Sequence, residues 1–309
     1  MRFSTTLTAL AAAIPFTTAY WAGFNVGANN EDGSCKTTAQ WTTAFNKLKT
    51  LPQGISSVRL YASSDCNTLL YAVPAAIATN TKILVGVWTE DAAHYTAEKK
   101  ALQAAITAHG HDWIIAISVG SEDLYRGDTT ASALATQIYD VRGMVRAMGV
   151  TQSVGHVDTW TVWIADANKA VITASDFVGL DSYRKFIIPK RSKKHYKLTA
   201  YVAWFQNVAL KDAYNTFWDA VTATRNQVNT VSPGKWVWIT ETGWPVSGSA
   251  NTGGGIASVA NAQNYWKTVG CSLLKSTHMF WYAYQDYNSS PSFGVFDSNG
   301  NAIYDLTKC

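Results

Sequence analysis

Hydrophobic positions along the chain follow two alternating patterns. Short unbroken apolar runs, rich in Val, Ile and aromatic residues, occur at 21–26, 58–61, 83–88, 114–119, 153–157, 177–180, 236–240 and 278–282. Such runs, without the in–out alternation of a half-exposed strand, predict strands buried on both faces. Between them, apolar residues recur at helical spacing over 38–51, 67–78, 96–109, 130–148, 163–173, 209–228 and 256–274. Several of these segments open on Thr, Asn or Asp, whose side chains accept hydrogen bonds from the free N–H groups of a first helical turn. Eight strand–helix units over roughly 290 residues predict an α/β protein, a single (β/α)8 TIM barrel spanning 20–309. An open doubly wound sheet is the alternative. It would need a nucleotide fingerprint after the first strand, and FNVGANNEDG does not supply GxGxxG. The Gly-rich GSANTGGG at 248–255 reads as a loop within the barrel.

The first 19 residues break the pattern. Arg2, the short apolar run LTALAAAIPF at 7–16 and the small residues before Tyr20 read as a secretory signal peptide. The run is too short to cross a bilayer, and no later stretch of about 20 apolar residues follows. A secreted, soluble, monomeric protein is therefore expected. Secretion changes the meaning of Cys35, Cys66, Cys271 and Cys309, which lack any CxxC spacing and favour disulfides over zinc. Of three possible pairings, Cys35–Cys66 with Cys271–Cys309 is preferred, because each pair sits at one end of the chain.

The net charge of +4 is local in origin. Seven of the 25 Lys and Arg residues fall within 184–203, which holds no acid; without them 18 bases face 21 acids, a balance of −3. A nucleic-acid binder spreads basic residues over a face, so no nucleic-acid partner is expected.

Barrel enzymes place their chemistry at the C-terminal ends of the strands. There the chain offers Tyr61, Trp88, Glu122, Asp158, Asp181, Tyr183 and Glu241. No His pair, phosphate loop or GxSxG elbow accompanies them, so neither a metal nor a cofactor is expected. Glu122 in IIAISVGSEDLYR and Glu241 in WVWITETGWPVSG each follow a hydrophobic strand, and strands four and seven face each other across a barrel mouth. Two facing carboxylates are what glycosidic bond cleavage needs, one to protonate the leaving oxygen and one to attack or activate water. The competing reading of each Glu is a rim salt bridge. Thirteen Trp and 15 Tyr add rings on which sugar C–H faces stack. Trp236 and Trp238, alternating along one strand, read as packing between sheet and helices, whereas Trp244 reads as a stacking platform.

SVGSEDLYR, GHVDTW, GLDSY and TETGWPVSG, in that order, with VRLYASSDC near the start and FWYAYQDY near the end, resemble glycoside hydrolase family 17. The likeness is to its fungal cell-wall branch of endo-β-1,3-glucanases and β-1,3-glucanosyltransferases, and it covers essentially the whole chain after the leader. It implies a retaining mechanism, with Glu241 as nucleophile and Glu122 as acid and then base. It also implies substrate contacts from Tyr61, Asp65, Asp158, Tyr183 and Trp244, and a linear β-1,3-glucan or its oligosaccharides as partner. Hydrolysis and glucanosyl transfer both remain open.

Two departures qualify the resemblance. Ser121 stands where the family usually has an Asn that binds the sugar 2-hydroxyl, which predicts weakened transition-state binding. After GLDSY the chain enters the basic run and only then reads WFQ at 204–206. Residues 184–203 can be back-translated, with one choice of codons, to a stretch bounded by donor-like and acceptor-like splice signals, whose removal would restore GLDSYPWFQ. A retained intron is the preferred reading and a true basic loop binding acidic wall polymer the other. Both departures also leave open a catalytically weak glucan-binding protein of the cell wall.

Overall fold

The strands β1 Ala22–Asn25, β2 Ser57–Arg59, β3 Lys82–Val87, β4 Ile114–Val119, β5 Ser153–Thr159, β6 Phe177–Asp181, β7 Trp236–Thr242 and β8 Met279–Trp281 close into one barrel in a computed structural model of the protein. Every neighbouring pair is parallel, and β8 returns to β1 through Ala22–Met279, Gly23–Phe280 and Phe24–Trp281. The structure describes residues 20–182, 208–248, 255–287 and 289–309. The expected leader at 1–19, Tyr183 and the basic run at 184–203 lie outside the described residues.

Around the barrel run α1 Thr38–Lys49, α2 Thr68–Thr79, α3 Ala92–His109, α4 Asp123–Arg126, α5 Ala131–Ala147, α6 Trp160–Trp163, α7 Lys169–Ala174, α8 Leu210–Val231, α9 Val259–Tyr265 and α10 Cys271–Leu273, the last two joined by a π-helical turn Trp266–Gly270. Their starts are set by capping chemistry. Thr37 and Gln40 form a reciprocal capping box at α1, and Thr130 and Ser258 cap α5 and α9. Asp91 accepts from the Ala93 and His94 N–H groups, so α3 begins four residues before its apolar pattern does. The expected helix at 163–173 is instead two short helices, because the chain leaves helical geometry at Ala165.

Two shells of side chains hold this together. The larger lies between the sheet and the helices. The smaller, Leu84, Ala116, Val157, Phe177, Trp238 and Phe280, fills the barrel interior. Trp238 stacks on Phe177 with ring centroids 4.5 Å apart inside the barrel, not between sheet and helices as expected. Trp236 departs further, with 48% of its surface exposed at the start of β7. Disulfides Cys35–Cys66 and Cys271–Cys309 form as preferred from sequence, closing loops of 31 and 38 residues.

Candidate active site

The C-terminal ends of β2, β4, β6 and β7 converge on a buried cluster of charge. Arg59, the last residue of β2, is fully buried and points its guanidinium at Glu241. Its Nη1 also donates to Asn25 Oδ1 at 3.0 Å, its Nη2 donates to Ser121 Oγ at 3.0 Å, and Asp181 lies 3.8 Å away. Burial works against the cation, but Asp181 and Glu241 more than offset it, so Arg59 stays charged more firmly than usual. Asp181 is pushed in the opposite direction. Burial and the Glu241 charge raise its pKa well above its ordinary value, while Arg59 pulls it back down.

β4 delivers the second carboxylate through a strained turn. Gly120 has φ +71°, and a Cβ on it would sit 2.1 Å from Asp123 Oδ2. Glu122 itself adopts φ 56°, ψ 25°, a left-handed conformation that non-Gly residues rarely take outside functional sites. Its N–H donates to Val157 O at 2.9 Å, which pins the turn to β5. Burial, then the Glu241 charge, then the Asp158 charge raise the Glu122 pKa to about 8. The Glu241 charge is thus one cause, after burial, of the proton that Glu122 holds.

Asp158 is buried, and its carboxylate faces the protein. It accepts from Leu124 N at 3.2 Å and Thr159 N at 2.7 Å, and pairs with His156 Nε2 at 3.1 Å. His156 Nδ1 lies 2.6 Å from Val119 O, a group that only accepts, so that nitrogen carries hydrogen and the second proton is shared between Nε2 and Asp158. Where a sugar contact is expected of Asp158, the structure shows a buried carboxylate bonded within the protein. It braces the turn that carries Glu122.

The remaining site residues separate. Tyr61 is half-exposed at the mouth with the Arg59 guanidinium 5.2 Å from its ring centre; burial and Glu241 push its hydroxyl pKa well up. Ser121 is buried and bonded to Arg59. Asp65 is exposed, and His94 Nε2 on α3 lies 2.7 Å from it. Trp244 is 1% exposed, packs on Tyr265 and donates its indole N–H to Ile256 O. Where a stacking platform is expected of Trp244, the structure shows a buried ring packed on Tyr265. Among the described rings at the strand ends, Tyr61, Trp88 and Tyr282 are partly exposed. Arg59, Asn25 and His156 were missed because their roles depend on long-range pairing; a buried Arg at a strand end was the one available signal.

Among the described residues Asp65, His94 and Glu98 bring ligand atoms within 4.8 Å of one another. Glu98 accepts from the N–H groups of Ser63, Ser64 and Trp88 at 2.6, 2.7 and 3.0 Å, so this cluster is a hydrogen-bond network that ties the β2 and β3 loops to α3.

A closed parallel barrel with paired carboxylates at the mouth and half-exposed rings beside them defines a TIM-barrel glycoside hydrolase. A family model described as the BtgE/BtgC glycoside hydrolase domain matches residues 23–184. The chain is 37% identical to a probable glucan endo-1,3-beta-glucosidase eglC of Aspergillus oryzae, covering 98% of this chain and 66% of that relative. It is 34% identical to a glucan 1,3-beta-glucosidase of Saccharomyces cerevisiae, covering 99% of this chain and 98% of that one. A glycoside hydrolase family 17 beta-1,3-glucanosyltransferase from Rhizomucor miehei superposes with a TM-score of 0.74 at 26% identity, covering 94% and 99% of the two chains. The chain belongs to glycoside hydrolase family 17, in its fungal BtgE/BtgC branch. It spans about two thirds of the length of the Aspergillus oryzae relative.

Proposed function

We propose that the protein cleaves and rejoins linear β-1,3-glucan in the fungal cell wall by double displacement with retention. The observation that carries this is the division of labour between two adjacent carboxyl groups, one held protonated by its surroundings and the other paired with a buried arginine. In the first step Glu241 attacks the anomeric carbon while Glu122 gives its proton to the glycosidic oxygen, and the leaving chain departs with a free hydroxyl. The sugar is then an ester of Glu241. That step removes the Glu241 charge, which is one cause of the raised Glu122 pKa, so Glu122 is now a carboxylate suited to act as base. It takes a proton from water or from the hydroxyl of a second glucan chain, whose oxygen attacks the anomeric carbon and frees Glu241.

The relatives' names support β-1,3-glucan as substrate, and two disulfides fit an extracellular setting. The test is incubation with a linear β-1,3-gluco-oligosaccharide, sizing products by chromatography and following anomeric configuration by proton NMR. Retained products longer than the donor identify a glucanosyltransferase, and only shorter retained ones an endoglucanase. Inverted products would overturn the double displacement. Binding without turnover would leave the glucan-binding wall protein.

A further inference from the structure

We propose a second glucan-binding site on the opposite end of the barrel, a surface anchor built around Trp236. Trp236 opens β7, whereas Glu241 lies five residues on, so roughly 16 Å of strand separates this ring from the nucleophile. The N-terminal ends of β7 and β8 and the C-terminal half of α8 border a cavity of about 510 Å³ there. Its lining includes Trp236, Asn226, Asn229, Arg225 and Lys235.

The chemistry favours a neutral sugar chain. Trp236 is backed by Tyr20 and His278, with ring centroids 6.1 and 5.6 Å away, and it still leaves 48% of its surface to solvent. A half-exposed indole offers flat apolar surface to the C–H face of a pyranose. Asn226 and Asn229 are three apart on α8, hence on one helix face, and both are exposed. Neither side-chain amide bonds to a described residue, and neither does the Trp236 indole N–H, so donors and acceptors for sugar hydroxyls remain unspent. Of the two cations in the lining, Lys235 Nζ donates to Ile172 O and Arg225 lies over the Trp218 ring at 5.8 Å.

Such an anchor would hold the enzyme on an insoluble wall polymer while the mouth works on a free chain. The assignment rests on the β-1,3-glucan reading of the active site. The test is co-sedimentation with insoluble linear β-1,3-glucan in a Glu241→Gln background, with and without Trp236→Ala, alongside turnover of a soluble oligosaccharide by Trp236→Ala in the active chain. Retention roughly five- to tenfold weaker, with soluble turnover unchanged, is expected for Trp236→Ala. Asn226→Ala with Asn229→Ala, both on an exposed helix face, should weaken retention in the same direction without touching the core. Unchanged retention in both variants overturns the anchor, as does preferential retention on sulfated dextran over neutral glucan. Turnover absent from the parent chain would instead count against the active-site reading, so the two failures are distinguishable.

Discussion

Glu122 holds its proton because burial and two neighbouring negative charges all disfavour its ionised form. Removing one of them should move the titration. In Glu241→Gln the Glu122 pKa, followed by carbon NMR, should fall below about 8; an unmoved value would mean that the Glu241 charge does not reach it. In the parent chain kcat/KM should decline as pH rises through about 8, as the acid is lost. The same shift has a stability sign. Above its ordinary 4.5 the unfolded chain gives up this proton while the folded one keeps it, so the group's contribution falls as pH rises from 4.5 to about 8. Glu122→Gln should therefore lose activity by roughly 10²–10⁴-fold yet raise Tm at pH 8, by about 2–4 °C for each kcal/mol relieved.

Arg59 is the counterweight. Arg59→Met would strand Glu241 and Asp181 without their cation, at a cost of about 3–5 kcal/mol measured by denaturant unfolding. Arg59→Lys keeps the charge but not the fork that reaches Asn25, Ser121 and Glu241 together. It should fold close to normally and lose roughly 10–100-fold in kcat/KM. Equal turnover in that variant would show that charge alone suffices. At Ser121 the bond from Arg59 leaves the hydroxyl hydrogen as its remaining donor, which fits a weaker contact to sugar than an amide would give.

At the scale of elements, the end of β4 sets the geometry. The turn Gly120-Ser121-Glu122 is bound on both sides, by Gly120 N–H to Val87 O at 2.8 Å and by Glu122 N–H to Val157 O. Gly120→Ala would place a methyl against Asp123 and Thr89 at a positive φ, so the turn must open. A loss of about 1–3 kcal/mol in stability is expected, with a kcat loss larger than that of a comparably destabilised core variant. A drop in Tm with parental kcat would show that the turn tolerates displacement. β4 was legible because its run of Ile, Ala and Val is unbroken. Its left-handed end was not, since only the carbonyls of β3 and β5 hold Glu122 there.

For the whole molecule, the barrel brings together groups far apart in sequence, and the two disulfides fasten the loops near each end of the described chain. Residues 184–203 follow β6 in sequence. We propose that they are a retained intron. A chain with Pro in their place should then show turnover at least equal to that of the present one in the same oligosaccharide assay, and tryptic digests of the native secreted protein should lack any peptide from 185–198. Recovery of such a peptide would sink the intron and restore the basic loop.

The eight strands, their parallel order and the two carboxylates at strand ends were legible in the residues alone, whereas the disulfide pairing was one of three until the fold chose it. The strands and carboxylates depend on local runs, caps and spacing, which a single chain displays directly. Tertiary structure alone decided what each polar group faces. Asp158 and Trp244 looked like rim residues because they follow strands, but packing turned one toward the Glu122 turn and the other into the core. Arg59 and His156 became part of the site only through partners contributed by other strands, and Trp236 is exposed as the first residue of β7. Burial and charge pairing are sums over neighbours distant in sequence, and it is the closed barrel that chooses those neighbours.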